Sequence, residues 1–319
     1  MKDIIYIKET YRVSAVDEDK LRFRNIFNGE ETYLYTDEIS VIIFDRANSY
    51  IQTEAIERLL KSNTLIIFCN AKHAPIALIS NEYGYYKKLA ILKLQLSVSS
   101  KTKGRLWRKF VKQKIQNQSD ILEYMVETLE YKSQVLQEFK TLIKNTKDHD
   151  ETNRESVAAR RYFTYCFGPS FRRVRSHKGY VEAHIVNPRD QKVNDALNYG
   201  YAIIRSIARK SLVANGFEPS FGIHHESEEN PFNLSDDIIE PYRQLIDLAV
   251  LEHIMPNGKV KFEQEDIPQF IKYLLIQNCL IDNRVYTVHD AIELTVQSLK
   301  QCLEEDTAAK ILLPSILEP

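Results

Sequence analysis

The chain has 319 residues, of which 44% are hydrophobic and 27% charged, and its formal net charge is -1. That balance supports a sizeable core, argues against global disorder and suits two domains. The four cysteines (Cys69, Cys166, Cys279, Cys302) are scattered without a CxxC pair, which argues against a zinc ribbon or disulfide framework and for reduced thiols in a cytoplasmic protein.

No apolar run is long enough to span a bilayer and the N-terminus lacks the long apolar stretch of a signal peptide, so no membrane role is expected. Short β-branched and aromatic runs at residues 4–7, 20–23, 32–35, 41–44, 64–68 and 75–78 read as strands, with turn residues such as Asn28-Gly29 between them. One helix, 53–61, interrupts them. A two-sheet β domain with a helix fits, although strand order does not follow from the residues.

After Gly84 the period changes. Leu122, Met125, Leu129, Leu136, Phe139 and Ile143 recur at helical spacing. Residues 144–154 form a polar connector, and a helix starts at Glu155 with the small Ala158 and Ala159. Residues 171–190 are basic and read as a loop or hairpin. A buried helix follows over 194–214, stopped by Asn215-Gly216. A hairpin is expected near Asn257-Gly258, then helices at 268–277 and 288–304. The fold class is therefore α+β: a small N-terminal β-sandwich-like domain (1–82), a larger, mostly α-helical catalytic domain (83–303), and a mobile tail (304–319).

Charge is segregated along this order. Residues 83–119 hold ten Lys or Arg and no Asp or Glu, a footprint expected of a phosphate-binding surface as well as of a solvated Lys-rich helix. Residues 222–243 carry most of the chemistry. The His224-His225 pair precedes a polar loop, and Asp237 and Glu240 stand three apart, on one face if the segment is helical. Two carboxylates with an imidazole suit a divalent metal. Taken alone, the same string also reads as a solvated acidic face with ordinary histidines.

The motifs coincide with one family. The strings at 65–76 (LIIFCNAKHAPI) and 107–118, Glu155 with Ala158-Ala159 and Tyr162-Phe163, the 194–205 helix, Gly222-Ile223-His224-His225 and residues 232–243 together resemble the CRISPR adaptation integrases. That family is often called the first CRISPR-associated protein, and the likeness is strongest to type II members. The resemblance implies an N-terminal β-sandwich-like domain for dimerisation and partner contacts. It also implies a metal-dependent DNA endonuclease and integrase that inserts foreign fragments into a CRISPR array, a 3′-hydroxyl attacking a phosphodiester.

Carried over residue by residue, the resemblance makes Glu155, His225 and Glu240 the catalytic ligands of Mg²⁺ or Mn²⁺. Asp237 stands as a further ligand or as a group behind one, and His225 is favoured over His224 by its distance to Glu240. The implied assembly is a homodimer with a small CRISPR-associated partner subunit, on double-stranded DNA (prespacer and repeat), alongside other type II proteins. Arg160, Arg161, Arg172, Arg173, Arg175, Lys109 and Lys112 are the expected DNA contacts. Ser156 stands where many members have Gly, and the 172–190 stretch is longer than in relatives. Two rivals remain: a structure-specific nuclease for branched DNA without integration, and a non-catalytic DNA-organising subunit. A zinc hydrolase built on His224-His225-Glu226 lacks HExxH spacing.

Overall fold

The computed structural model describes residues 3–45, 48–70, 75–81, 87–125, 129–174, 187–255, 270, 273–274 and 277–317. Two four-stranded sheets open the chain. One runs in the order β4 (Glu31–Tyr35), β3 (Lys20–Asn25), β2 (Tyr11–Asp17) and β6 (Tyr50–Ile51). The other orders β1 (Asp3–Ile7), β5 (Ile39–Phe44), β7 (Leu65–Cys69) and β8 (Pro75–Ile79), with β1, β5 and β7 parallel and β8 antiparallel.

Every residue of β5 is buried, because this sheet is covered on both faces, as continuous apolar runs demand. Ile42, Phe44 and Ile66 pack with Val13, Leu21 and Phe23 of the other sheet and with Ala55 and Leu59 of α1 (Thr53–Lys61). Their alternating neighbours Val41, Ile43, Leu65 and Ile67 turn the other way, into the core of the helical part. The period of two thus welds the sheets to the helices.

The helices are α2 (Lys88–Ser97), α3 (Ser100–Met125), α4 (Leu129–Asn145), α5 (Arg154–Phe167), α6 (Pro188–Ala214), α7 (Asn233–Ile239), α8 (Arg243–Ala249) and α9 (Val288–Glu304). The expected stop of α6 is present, with Gly216 at φ +83°. The α3 helix packs against α4, α5, α8 and the 3₁₀ turn Glu240–Tyr242, so it is the spine of this half. Its stripe Trp107, Phe110, Val111, Lys114, Gln118, Ile121 and Leu122 is buried and apolar but for two members.

A hairpin not foreseen in the sequence, β9 (Asn278–Ile281) and β10 (Arg284–Thr287), turns through Asp282 and Asn283, both left-handed. The hairpin expected near Asn257-Gly258 lies outside the described residues.

The stretch expected as a mobile tail is instead packed through Ile316, a correction. Ala308, Ile311 and Ile316 are buried, and β11 (Ser315–Ile316) pairs with β9. Its backbone is gripped by side chains of α3. Thr102 donates to Asp306 O at 2.8 Å, Lys109 Nζ to Ala309 O at 3.1 Å and Asn117 Nδ2 to Pro314 O at 3.0 Å. Such a strap has no periodicity, so hydrophobic patterning cannot reveal it.

Candidate active site

Glu155 opens the buried face of α5, one and two turns before Ala158 and Tyr162, both fully buried. Asp150 fixes where that helix begins. Its two oxygens accept from the backbone amides of Arg154 and Glu155, each at 2.9 Å, satisfying donors that a helix start leaves open. Glu240 arrives from the other side, 3% exposed, where α7 breaks into the turn at Pro241. Pro241 cannot donate a backbone hydrogen bond, and its carbonyl accepts from Asn117 Nδ2 at 2.8 Å. The amide that holds the C-terminal strap therefore also holds the Glu240 turn.

Between the two glutamates lies a residue that the site reading missed. Lys114 Nζ donates to Glu155 Oε1 and, at 2.5 Å, to Glu240 Oε2. Its side chain is 5% exposed. Burial pulls the ammonium's pKa down, but the charges of Glu155 and Glu240 outweigh burial and leave it raised. A second cation backs the pair, since Arg243 Nε donates to Glu240 Oε1 at 3.0 Å. The available signal was a lone charge inside the apolar stripe of α3, where an unpaired lysine is costly.

The histidine loop is built around Asp237, which is fully buried. Its Oδ2 accepts from the amides of Ile223 (2.5 Å) and His224 (3.0 Å), and its Oδ1 from the amide of His225 (3.2 Å). That same Oδ1 lies 2.6 Å from His225 Nδ1. Gly222 permits the closure: a Cβ there would stand 2.1 Å from His225 O and 2.9 Å from Asp237 Oδ2. Trp107 of α3 stacks flat on His224 (centroids 4.1 Å, planes 3° apart) and meets the His225 ring edge-on at 5.7 Å.

Burial lowers the His224 pKa. Burial pulls His225 the same way, but its hydrogen bond to Asp237, the Asp237 charge and then Glu240 and Asp236 raise it above the ordinary value. With Nδ1 committed to a carboxylate, the neutral ring presents Nε2 as its acceptor.

The remaining candidates separate. Asp236 belongs to a different cluster, accepting from Asn230 at 2.9 Å and lying 3.8 Å from Arg205 and 4.0 Å from Arg243. Arg173 is turned inward, bonded to Asn194 (2.9 Å) and Asn198 (2.7 Å) and placed over the Tyr201 ring. Arg161 pairs with Glu138 at 3.1 Å, and Lys109 is spent on the strap. Arg160 and Arg172 are exposed, Lys112 is half-buried, and Arg175 lies outside the described residues.

The donor chemistry suits a divalent cation: two carboxylates already hold one cation, and the orienter of the nearby imidazole is a carboxylate. Among the described residues, no three His, Cys, Asp or Glu side chains stand at mutual ligand spacing. The ammonium occupies the point where the two glutamates meet.

A family model described as CRISPR associated protein Cas1 matches residues 5–275. The chain is 32% identical over 291 residues to the CRISPR-associated endonuclease Cas1 of Neisseria meningitidis serogroup C (strain 8013), covering 91% of this chain and 89% of that protein.

Among solved structures, it resembles a casposase bound to integration product (TM-score 0.71, 17% identity, 96% of this chain and 92% of that one). It also resembles a Cas1 protein from Thermotoga maritima (TM-score 0.63, 14% identity, 95% and 97%). At those identities the structural likeness speaks for the fold, a small strand domain followed by a helical one. Matched along most of its length by the family model and by a curated relative, the chain belongs to the Cas1 family.

Proposed function

We propose that this chain is a divalent-metal-dependent DNA endonuclease and integrase that joins the 3′-hydroxyl of a DNA fragment to a CRISPR array by transesterification. The supporting observation is that Glu155 and Glu240, distant along the chain, clasp one buried cation with Arg243 behind Glu240. The name of the Neisseria relative, a CRISPR-associated endonuclease, supports the class.

Glu155, Glu240 and His225 Nε2 would hold Mg²⁺ or Mn²⁺, which when bound supplies neutralisation of the phosphate and a lowered pKa for the attacking hydroxyl. Asp237, filled by four donors, orients His225 and is not itself a ligand in this reading. Arg243 keeps Glu240 Oε1 aimed. The hydroxyl loses its proton as its oxygen bonds to phosphorus, the P–O bond to the displaced strand's oxygen breaks and that oxygen takes up a proton, so one phosphodiester replaces another and no nucleotide cofactor is needed.

Arg160 and Arg172, exposed near α5, are the candidates for phosphate contact. In the same reading the chain works as a homodimer, with a small CRISPR-associated partner, on prespacer and repeat DNA.

The test is product analysis with labelled prespacer and repeat DNA in Mn²⁺, wild type against His225→Ala. Joined strands lost in the variant support the proposal. Cleavage without any joined product would leave a nuclease of branched DNA.

A further inference from the structure

Lys114 and Asp247 are two buried groups that the proposed chemistry does not use. The ammonium of Lys114 stands at the one point shared by the glutamates. A divalent ion bound through the two oxygens that Lys114 now holds needs them at about 2.0–2.2 Å, so it competes with the ammonium for that point. The ammonium is itself buried, its side chain 5% exposed, where α3 is packed against α5, α8 and the Glu240–Tyr242 turn. Arg243 does not conflict in this way, since it touches Glu240 through the other oxygen.

An internal acceptor stands ready. Asp247, on α8, is 1% exposed. Its Oδ1 accepts from Tyr201 OH, whereas its Oδ2 has no hydrogen-bond partner among the described residues. Buried carboxylate oxygens are seldom left unmatched. The α8 helix, which carries Asp247, packs against α3, which carries Lys114, and burial raises the pKa of this carboxyl to about 6 against the pull of Tyr201, Arg173, Lys114 and Arg243.

We infer that Lys114 is a displaceable counter-ion, which holds Glu155 and Glu240 together in the metal-free protein and passes to Asp247 Oδ2 when a divalent ion binds. This rests on the metal-dependent reading above. Lys114 is a positioning residue: it keeps two like charges preassembled, and its departure costs part of the metal affinity. Asp247 limits that cost.

The test is calorimetric titration of the full chain with Mn²⁺, together with thermal melts in chelator. Lys114→Met should lower the metal-free Tm by several degrees yet bind Mn²⁺ about tenfold more tightly. Asp247→Asn should weaken Mn²⁺ binding about tenfold in the wild-type background and leave it unchanged in Lys114→Met, a coupling that independent structural roles do not produce.

If Lys114→Met does not fold, the Lys114 ammonium can be followed by NMR in wild type and Asp247→Asn during Mg²⁺ addition. Its resonance should shift in both as the metal saturates, at about tenfold higher Mg²⁺ in the second. Unchanged or weaker Mn²⁺ binding in Lys114→Met, an Asp247→Asn effect that persists there, or a Lys114 resonance indifferent to Mg²⁺ overturns the inference while the metal reading stands. A wild type that binds no Mn²⁺ overturns both.

Discussion

Replacing Asp237 with alanine tests how the histidine loop is held. The change removes the acceptor of three backbone amides and the partner of His225 Nδ1, all within a fully buried carboxylate's reach. A buried donor left without its acceptor costs about 1–3 kcal/mol. Ile223, 6% exposed, has little water to turn to, whereas His224 and His225 are nearer the surface.

A loss of about 4 kcal/mol is therefore expected, since the outer amides regain part of their cost from solvent. With an unfolding entropy of about 2.1 cal/mol/K per residue over 319 residues, that is a fall of about 6 °C in Tm. Asp236→Ala is the control. It accepts one hydrogen bond, from Asn230, and its ion pairs are long, at 3.8 and 4.0 Å, so about 2 kcal/mol is expected. Scanning calorimetry of both variants at neutral pH without metal decides the matter. Equal melting points for the two would refute the reasoning.

The His225 pKa gives a pH signature. It is raised, Asp237 overcoming the effect of burial. A histidine raised on folding adds stability that is complete below about pH 6.5 and fades as pH climbs through the folded value. The Tm gap between wild type and Asp237→Ala should therefore narrow from acid to mildly alkaline pH, and melts across that range will show whether it does.

Trp107→Phe, which keeps a ring under His224 but shrinks the stack, should cost about 1–2 kcal/mol, and Trp107→Ala about 3–5 kcal/mol, with a matching loss of strand joining. Gly222→Ala pushes a Cβ into the His225 carbonyl, and its joining rate should fall at least about tenfold with metal in excess. Arg173→Ala should lower Tm without altering the salt dependence of DNA binding, because its guanidinium is engaged by Asn194 and Asn198. Arg160→Ala and Arg172→Ala should leave Tm alone and each reduce the salt slope by about 1.

The sheets and long helices were legible because burial on both sides of β5 and β7 forces unbroken apolar runs, while α3 and α9 show helical spacing. The β2 strand escaped notice although Val13 and Ala15 alternate inward, and the Asp282-Asn283 turn signal was passed over. Within the site, His225 and Glu240 stood close in the sequence, whereas Glu155 needed a family likeness, because no periodicity links α5 to the Glu240 turn.

Asp237 could be placed beside Glu240 on a helix, but not assigned its partners. The break at Pro241 leaves Asp237 under the histidine loop and Glu240 against α3. Lys114 looked like one more cation in a basic run. Its true position follows only from its place in the buried stripe of α3, between Val111 and Gln118.

The sharpest check on a single shared site is strand joining in Mn²⁺ by Glu155→Gln, His225→Ala, Glu240→Gln and the triple variant. If the three side chains act on one reaction centre, each single change abolishes joining about as fully as all three together. Losses that multiply from one variant to the next, or full joining by any one of them, would contradict that.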